Sequence, residues 1–445
     1  MIPFILLLCI ILNPSFLKFC QARAPNIVFF MPDDMHFLDA WGERPPPASG
    51  SAFDLDSGLI PNMQRVRSNG TIFTSAYVAG PKCAPSRFNV MTGRYCSRAA
   101  YGATFSDSTT QDGVLRRPVT VPRCKLSDTD NSNNIQTYLS SIGYNTIHSG
   151  KWHLTAKSKW TKAYSEITTA VTDSGFTYAE SVYHANMEDA ADGWAYNFSH
   201  NMEWMVNTSL TRMQEASITD TPFYLYFAPT APHQNANNEA ALLNYSVRAT
   251  PSGTLSAEPA TTMPSRQSVI DRVDSHYDAS ASDSSVRDSR IGTVWCDDAL
   301  GALIDGVEAL GQLDNTIFVV TMDHGQSAKN TLFEGGTRVV LMVMGPTVQA
   351  NATTNVSVSN IDLAPTFAQA ATEVGTSSSS SALGFAVDGI SWWSAVSSSS
   401  GTVAASEELA QRKCIISEID TDRAMVCNHT ASSGASADAE TLKYI

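Results

Sequence analysis

Two pairs of ionisable side chains stand directly after short apolar runs of the sequence. Asp33 and Asp34 follow a run near the N-terminus, and Asp323 and His324 follow another run much later in the chain. Carboxylates at two strand ends can share one divalent ion, and hard oxygen ligands favour Ca²⁺ or Mg²⁺. A lone acidic pair after a strand is more often a solvated turn or a helix cap. The second pair therefore favours a metal site over that simpler interpretation.

The segment from Cys83 to Arg87 reads Cys-Ala-Pro-Ser-Arg, and Thr-Gly-Arg follows it at residues 92–94. By itself such a cysteine could also be a buried or disulfide-bonded residue beside a Pro-Ser turn. The two strings at this distance resemble the signature of the formylglycine-dependent, arylsulfatase-like sulfatases of the alkaline phosphatase superfamily. In that family a formylglycine-generating enzyme oxidises the cysteine to formylglycine (3-oxoalanine) during maturation. The resemblance implies that Cys83 is the modified nucleophile and that Arg87 helps to hold it.

The chemistry of sulfate esters explains the need for such a residue. A serine-type nucleophile would leave a sulfated enzyme that hydrolyses slowly. In the hydrated aldehyde, one hydroxyl attacks sulfur and the other later expels sulfate as the aldehyde forms again. The resemblance also implies one Ca²⁺ ion, which neutralises sulfate oxygens and lowers the pKa of the attacking hydroxyl. The implied metal ligands are Asp33, Asp34, Cys83 as formylglycine, Asp323 and His324.

Further strings of the sequence match motifs of the same family. Residues 143–154 resemble its second signature and end in Gly-Lys-Trp-His-Leu, which implies that Lys151 and His153 reach the sulfate. His233 follows an apolar run and matches the family's site histidine at a strand end. Lys329 begins a segment that matches the Lys-x-x-x-x-Glu-Gly-Gly-x-Arg string of arylsulfatase-like members. A histidine or lysine alone in such a place would be structural or solvated, so both assignments depend on the accompanying motifs.

The implied site residues supply the positive charge that an anionic transition state needs. Arg87, Lys151 and Lys329 would surround this state together with the divalent ion. When the sulfur–oxygen bond breaks, the leaving alkoxide or phenoxide needs a proton. His233, with Lys329 alongside, is the candidate acid. His153 is the candidate base for the elimination step.

Four short apolar runs are the elements that would bring these residues together, at 26–31, 223–228, 316–322 and 339–344. Runs this short, rich in β-branched and aromatic residues, suit central strands of a sheet that is covered on both faces. Three of the four end in ionisable side chains. In open α/β sheets, ligands gather at the carboxyl ends of the strands. The sequence therefore predicts that distant segments converge on one site.

Helices are predicted between these strands. Apolar residues at helical spacing over 291–310 predict a helix that Gly311 ends. Residues 134–142 and 361–371 are also compatible with helices, whereas the Ser-, Thr-, Asp- and Pro-rich stretch 246–285 indicates a long surface excursion. The expected fold class is α/β, with a large mixed, mostly parallel sheet covered by helices on both faces and a smaller C-terminal α+β subdomain.

The chain divides into three expected parts. Residues 1–24 are interpreted as a signal peptide, because 2–12 is an apolar run that is too short for a comfortable membrane span. A buried first strand or helix is the alternative. Residues 25–395 are the expected catalytic domain. Residues 396–445 are the expected C-terminal subdomain, which comparison with the usual length of family members predicts to be incomplete.

Several features support a secretory route to an extracellular or lysosome-like compartment, as expected of a glycoprotein. Besides Cys83, five cysteines lie beyond residue 24, so at least one thiol stays unpaired. A bridge between Cys414 and Cys427 is one option among several. Seven Asn-x-Ser/Thr sequons begin at Asn69, Asn197, Asn207, Asn244, Asn351, Asn355 and Asn428.

The net charge of -14 argues against a general nucleic-acid or membrane-surface binder. After the first apolar run, no stretch is long and apolar enough for stable membrane insertion. The resemblance implies a sulfated small molecule or carbohydrate as substrate. Two alternatives stay open, namely a phosphomonoester or phosphonate hydrolase of the same superfamily and an inactive carbohydrate-binding homologue that retains the fold.

Overall fold

The computed structural model covers most of the expected catalytic domain and part of the C-terminal region. The described residues are 23–36, 57–99, 110–111, 114–115, 126, 128–155, 163–184, 198–233, 237–276, 284–372, 383–397, 409, 411–412, 414–419, 422–427 and 441–444. The predicted signal peptide lies almost wholly outside them, as do the sequons at Asn197 and Asn428. The other five sequon asparagines are all at least partly exposed. No helix within the described ranges combines the length and apolarity needed to cross a bilayer.

Most of the strands belong to one large sheet. In chain order the strands are β1 (Asn26–Phe30), β2 (Gly70–Tyr77), β3 (Thr110–Gln111), β4 (Val114–Leu115), β5 (Asn145–Lys151), β6 (Tyr178–Tyr183), β7 (Phe223–Ala228), β8 (Ala249–Thr250), β9 (Gly253–Thr254), β10 (Thr316–Thr321), β11 (Arg338–Met344), β12 (Ala352–Thr354), β13 (Val358–Ser359), β14 (Cys414–Ile419), β15 (Asp422–Cys427) and β16 (Thr441–Tyr444).

Helices connect and cover these strands. In chain order the α-helices are α1 (Pro61–Ser68), α2 (Cys83–Thr92), α3 (Asp128–Ser132), α4 (Ile135–Ser141), α5 (Tyr164–Thr172), α6 (Met202–Ile218), α7 (Asn238–Asn244), α8 (Arg266–Ser275), α9 (Ser284–Ala309), α10 (Glu334–Thr337), α11 (Leu363–Thr372) and α12 (Trp393–Val396). Short 3₁₀ turns lie at Ser57–Leu59, Cys96–Arg98, Leu313–Asn315 and Asn360–Asp362.

The large sheet has nine strands, and all but one run in the same direction. Its order is β12-β2-β11-β10-β1-β7-β5-β6, and β13 also pairs with β2. Only β11 is antiparallel to its neighbours β10 and β2. The predicted mixed, mostly parallel sheet is therefore confirmed.

The four predicted apolar strands are β1, β7, β10 and β11, and they lie next to one another in the order β11-β10-β1-β7. Every residue of β1, β7 and β10 is buried, which requires cover on both faces of the sheet. Because β1, β7 and β10 are parallel, their carboxyl ends meet at one edge. The antiparallel β11 is the one run that does not end in an ionisable side chain, and it begins at that same edge.

The predicted helices are present, with differences in their bounds. The helix expected over 291–310 is α9 and begins earlier, at Ser284. Its first turns are polar, so the apolar spacing could not reveal them. Tertiary contacts stabilise them instead, because Asp288 accepts hydrogen bonds from the backbone N–H groups of Asn238 and Glu239 at the start of α7. The other two predicted helices correspond to α4 and α11.

The expectation of a surface excursion over 246–285 is wrong for part of that stretch. It contains the ten-residue helix α8, which buries Val269, Ile270 and Val273. Arg266 at the start of this helix forms an ion pair with Glu203 of α6 and places its guanidinium over the ring of Trp295. Three apolar residues among many polar ones were too weak a signal to indicate this packing.

A second, smaller sheet lies in the C-terminal region and includes strand β14. It is antiparallel and has the order β14-β15-β16. Cys414 and Cys427 form a disulfide across β14 and β15. Cys83 and Cys296 are buried free thiols, which agrees with the expected unpaired cysteine.

Candidate active site

The two acidic pairs converge because they follow neighbouring parallel strands. Asp33 and Asp34 come after β1, and Asp323 and His324 come after β10, which pairs with β1 in register. The backbone N–H of Asp34 donates to Oδ1 of Asp323 at 3.1 Å. All four side chains are buried, with at most 1% of their surface exposed. Buried carboxylates in such a group require compensating positive charge.

Asp33 and Asp34 face different partners although they are adjacent. Asp34 has a left-handed backbone with φ of 58°, a conformation that is costly for a residue other than glycine and that often marks functional sites. The carboxylate of Asp33 pairs with Lys151 Nζ and lies 3.3 Å from Nη2 of Arg87. The carboxylate of Asp34 pairs with Lys329 Nζ at 2.5 Å. Lys151 and Arg87 therefore hold Asp33, and Lys329 holds Asp34.

Cys83 is the first residue of helix α2 and is almost fully buried. Its Sγ lies 3.3 Å from Nε2 of His324. Burial by itself would raise the pKa of this thiol. The charges of Lys151, Lys329 and His324 outweigh burial and hold the pKa of the thiol well below its usual value. The start of a helix adds further positive potential, so this position favours an anion.

Arg87 lies one turn further along α2 and is completely buried beneath the acids. Its Nη2 lies 3.3 Å from both Asp33 Oδ1 and Asp323 Oδ2. Its Nη1 donates to the hydroxyl of Tyr226 at 2.9 Å and to the carbonyl oxygen of Lys151 at 3.2 Å. The guanidinium thus links α2 to β1, β5, β7 and the end of β10.

Tyr226 of β7 makes a contact with Arg87 that the sequence did not reveal. The alternation of a strand places Tyr224 and Tyr226 on the same face, and the sequence offers no way to tell which hydroxyl reaches Arg87. His148 of β5 packs against the Tyr226 ring with centroids 5.2 Å apart. Burial and the nearby charge of Arg87 lower the pKa of His148 to about 3, so this histidine is a neutral packing residue.

The residues of the second signature, at 143–154, also reach the site. Lys151 ends β5 and pairs with Asp33. His153 follows after one residue, with a left-handed backbone at φ 59°, and its side chain hydrogen-bonds Cys83. Because of this backbone turn, Lys151 and His153 both approach the nucleophile position although only Lys151 belongs to the strand. The structure therefore brings both residues of this motif beside Cys83.

His233 and Lys329 contact each other in the site. Lys329 Nζ lies 3.2 Å from Nε2 of His233. The same His233 nitrogen lies 3.2 Å from Oδ2 of Asp34, the oxygen that also pairs with Lys329. The cation holds the histidine and the acid in one cluster. The structure therefore brings every predicted site residue to one edge of the sheet.

Four of these side chains form a group that could hold a metal ion. The ligand atoms of Asp33, Cys83, Asp323 and His324 all lie within 4.8 Å of one another. Burial, reinforced by the charge of Asp33, raises the pKa of Asp323 well above its usual value, although His324 acts in the opposite direction. Such a carboxylate is short of positive charge, which a divalent cation would supply.

The family model described as Sulfatase matches residues 25–374, which is most of the chain. The chain belongs to the sulfatase family. This sulfatase also has the fold of the structures it resembles, including one described as BT4656 in complex with its substrate D-Glucosamine-2-N, 6-O-disulfate. That structure has a TM-score of 0.56 and 20% identity, with 91% of this chain and 87% of that chain covered.

Named relatives match this chain over only part of their own length. The sulfatase is 24% identical over 368 residues to the Extracellular sulfatase SULF-1 homolog of Drosophila melanogaster, covering 78% of this chain and 30% of that protein. It is 24% identical over 384 residues to the N-acetylglucosamine-6-sulfatase of Capra hircus, covering 78% and 60%. The chain therefore spans less than two thirds of the length of either relative.

Proposed function

We propose that this sulfatase hydrolyses sulfate esters, with formylglycine formed from Cys83 as the nucleophile and one Ca²⁺ ion bound beside it. The observation that carries the proposal is the placement of Cys83 at the start of α2, with its Sγ within 4.8 Å of the candidate ligand atoms of Asp33, Asp323 and His324. In an unmodified chain, Sγ of Cys83 stands in for the aldehyde oxygen. The hydrated aldehyde supplies the attacking hydroxyl, and Ca²⁺ supplies positive charge at the sulfate.

The ligands proposed for Ca²⁺ are acids and one imidazole. Asp33, Asp34 and Asp323 provide hard oxygens, and the residue at 83 and His324 complete the set. Arg87 stays beneath the acids and fixes their orientation through its contacts with Asp33 and Asp323. This support matters because a metal site depends on the groups that orient its ligands.

The charge balance of the site favours an anionic substrate. With the histidines neutral, as His324 would be when bound to the metal ion, the carboxylates of Asp33, Asp34 and Asp323 are matched in number by buried or half-buried cations. A bound divalent ion would therefore leave the pocket with net positive charge. This local positivity is what an acidic protein needs to hold a sulfate ester and the charge that develops as the ester bond breaks. The three cations that match the carboxylates in number are Arg87, Lys151 and Lys329.

Two histidines are proposed to move protons. His233 donates a proton to the leaving oxygen, and Lys329 keeps it in place through the 3.2 Å contact between Nζ and Nε2. His153, which hydrogen-bonds Cys83, takes the proton when sulfate is eliminated. The two imidazoles reach the site from segments that follow different strands, β7 for His233 and β5 for His153, so each can serve one stage of the reaction.

A carbohydrate sulfate is the proposed substrate class. One relative, 24% identical across 78% of this chain, is named for N-acetylglucosamine 6-sulfate, and another, 30% identical across 30% of this chain, is named for N-acetylgalactosamine 6-sulfate. The secretory route proposed from residues 1–24 and the sequons agrees with a relative that is named extracellular. The division into a catalytic domain at 25–395 and a subdomain at 396–445 is likewise a proposal.

Mass spectrometry and turnover together test the proposed function. The protein would be produced in a secretory host with formylglycine-generating enzyme, and the peptide containing Cys83 would be analysed for the aldehyde. We expect the aldehyde, hydrolysis of sulfated glucosamine and galactosamine units, and no turnover by Cys83→Ala. Faster turnover of phosphate than sulfate esters would instead indicate the phosphohydrolase alternative. An intact thiol in protein from its own host would indicate an inactive homologue.

A further inference from the structure

The strand pair β14–β15 packs directly against the two loops that carry site residues. We call residues 78–82, which lead into Cys83, the nucleophile loop, and residues 326–333, which carry Lys329, the lysine loop. The strand pair itself lies in the predicted C-terminal subdomain and is closed by the Cys414–Cys427 disulfide.

The nucleophile loop is held by consecutive residues of β14. The hydroxyl of Ser417 donates to the carbonyl oxygen of Val78 at 2.7 Å. The backbone N–H of Glu418 donates to the carbonyl oxygen of Ala79, also at 2.7 Å. The carboxylate of Glu418 accepts the backbone N–H of Ser97 at 2.7 Å, on the far side of helix α2. Strand β14 therefore holds the chain both before and after the helix that begins at Cys83.

The lysine loop is held by an apolar contact. Leu332, three residues after Lys329, forms a buried cluster with Ile419 of β14 and Ala424 of β15. This cluster is separate from the main hydrophobic core. Among the described residues, the apolar anchor of this loop is thus supplied by the strand pair rather than by the central sheet.

The two loops also contact each other. The backbone N–H of Asn330 donates to the carbonyl oxygen of Pro81 at 3.2 Å. This hydrogen bond therefore joins the residue after Lys329 to a residue just before Cys83, and the strand pair contacts both loops. A displacement of either loop would change the distance between Lys329 and the nucleophile position.

We infer that β14–β15 sets the placement of Lys329 relative to residue 83, with Ile419 and Ser417 as positioning residues. Neither side chain touches the reacting atoms. Ile419 acts through Leu332 on the lysine loop, and Ser417 acts through Val78 on the nucleophile loop. A misplacement of about 1 Å in a catalytic group can cost about 10²-fold in rate. The inference rests on the proposed sulfatase function.

The first test compares Ile419→Ala with Ile416→Ala on aryl sulfates with good and poor leaving groups. Ile416 lies on the same strand and is 36% exposed, so it is the matched control. We expect Ile419→Ala to lower kcat roughly tenfold for poor leaving groups and less for good ones, because Lys329 holds the proposed acid His233 in addition to supplying positive charge. We expect no such change in Ile416→Ala. A milder Ile419→Val variant should show the same pattern if Ile419→Ala folds poorly.

The double variant Ile419→Ala/Lys329→Ala separates positioning from a general structural role. If Ile419 acts through Lys329, adding Ile419→Ala to Lys329→Ala should cause no further loss with poor leaving groups. An equal loss in both substrate classes, or a full further loss in the Lys329→Ala background, would overturn the inference. Ser417→Ala should reduce turnover of both classes, since it acts on the nucleophile loop.

Hydrogen exchange gives a readout that does not depend on activity. We expect the amides of 326–333 to exchange faster in Ile419→Ala than in Ile416→Ala, while those of β10 keep their protection. Unchanged exchange in 326–333 would overturn the inference. If Lys329→Ala shows no leaving-group dependence, the proposed role of Lys329 fails, and the exchange result alone then decides whether the strand pair holds the loop.

Discussion

Nε2 of His324 lies 3.3 Å from Sγ of Cys83, although 241 positions separate the two residues in the sequence. The same nitrogen lies 2.9 Å from Oδ1 of Asp34 and 3.7 Å from Oδ2 of Asp323. The ring is fully buried, and its Nδ1 lies 3.1 Å from the carbonyl oxygen of Gly325. This contact points Nε2 at the nucleophile and the acids, which is the arrangement expected of a metal-binding histidine.

Replacement of this histidine tests the proposed Ca²⁺ site. We expect His324→Ala to weaken Ca²⁺ binding by roughly tenfold or more, because the site loses a ligand while its buried acids remain. His324→Asn should bind Ca²⁺ better than His324→Ala, since an amide oxygen can replace the imidazole. Calorimetric titration of metal-free protein measures the affinity, with exposed His276→Ala as the control. Equal Ca²⁺ affinity in His324→Ala and the parent would exclude His324 as a ligand.

The leaving group reports on the proposed acid, His233. Its Nε2 lies 3.2 Å from both Lys329 Nζ and Asp34 Oδ2. We expect His233→Ala to slow hydrolysis of esters with poor leaving groups by about 10² or more, because these need a proton in the transition state. Esters with good leaving groups should be affected much less. Steady-state kinetics on a series of aryl sulfates measures this, and an equal loss across the series means that His233 is not the acid.

Tyr226 offers a matched test of how Arg87 is held. Tyr226→Phe removes the acceptor of a 2.9 Å hydrogen bond from Arg87 Nη1. We expect a loss of about 1 to 3 kcal/mol in the free energy of unfolding, because a buried charged donor loses a partner. Turnover should also fall, since Arg87 orients Asp33 and Asp323.

Tyr224 is the control, because its hydroxyl is buried and has no hydrogen-bond partner among the described residues. Tyr224→Phe should leave stability unchanged or slightly improved, and it should leave turnover unchanged. Urea denaturation and kinetics on both variants make the comparison. If the two substitutions behave alike, the bond to Arg87 contributes little.

The sequence was most informative where strands were wholly apolar and where motifs were rigidly spaced. The runs that became β1, β7, β10 and β11 differ by at most one residue from the strands of the structure. These strands are buried on both faces, so burial alone determines their composition. The motif residues converge because β1, β7 and β10 end at the same edge, which follows from parallel pairing.

Elements that combine polar and apolar residues were harder to predict. Strand β2 reads Gly-Thr-Ile-Phe-Thr-Ser-Ala-Tyr and depends on pairing with β11 and β12, which the local sequence does not encode. Helix α8 is indicated by only three apolar residues. The hydrogen bond of Tyr226 to Arg87 and the packing of Ile419 on Leu332 join residues far apart in the chain. Neither has a local signal.

Asp297 should make stability depend on pH, independently of the active site. Its carboxylate lies in the middle of α9 and accepts the backbone N–H of Met63 at 2.7 Å and that of Asn62 at 3.0 Å. These groups start helix α1, whose N-cap residue Ile60 provides no side-chain hydrogen bond. Burial outweighs these hydrogen bonds and raises the pKa of Asp297 from 3.8 to about 7.

A carboxyl group whose pKa is higher in the folded state binds its proton more tightly there. Its contribution to stability is therefore complete below about pH 4 and is lost as the pH rises through about 7. Between pH 5 and pH 8 we expect this to amount to about 2 to 3 kcal/mol of unfolding free energy. Asp297→Asn cannot titrate, so the difference between the parent and this variant should shrink or reverse over that interval.

Urea denaturation of the parent and of Asp297→Asn at several pH values measures this effect. Comparing the two proteins cancels the titration of all other groups, including the acids of the active site. Asp297→Asn also loses an acceptor for the first turn of α1, so its absolute stability is not the relevant quantity. The relevant quantity is the pH dependence of the difference in unfolding free energy between the two proteins. Parallel pH profiles for the two proteins would mean that Asp297 stays ionised, with the start of α1 stabilising its charge more than burial opposes it.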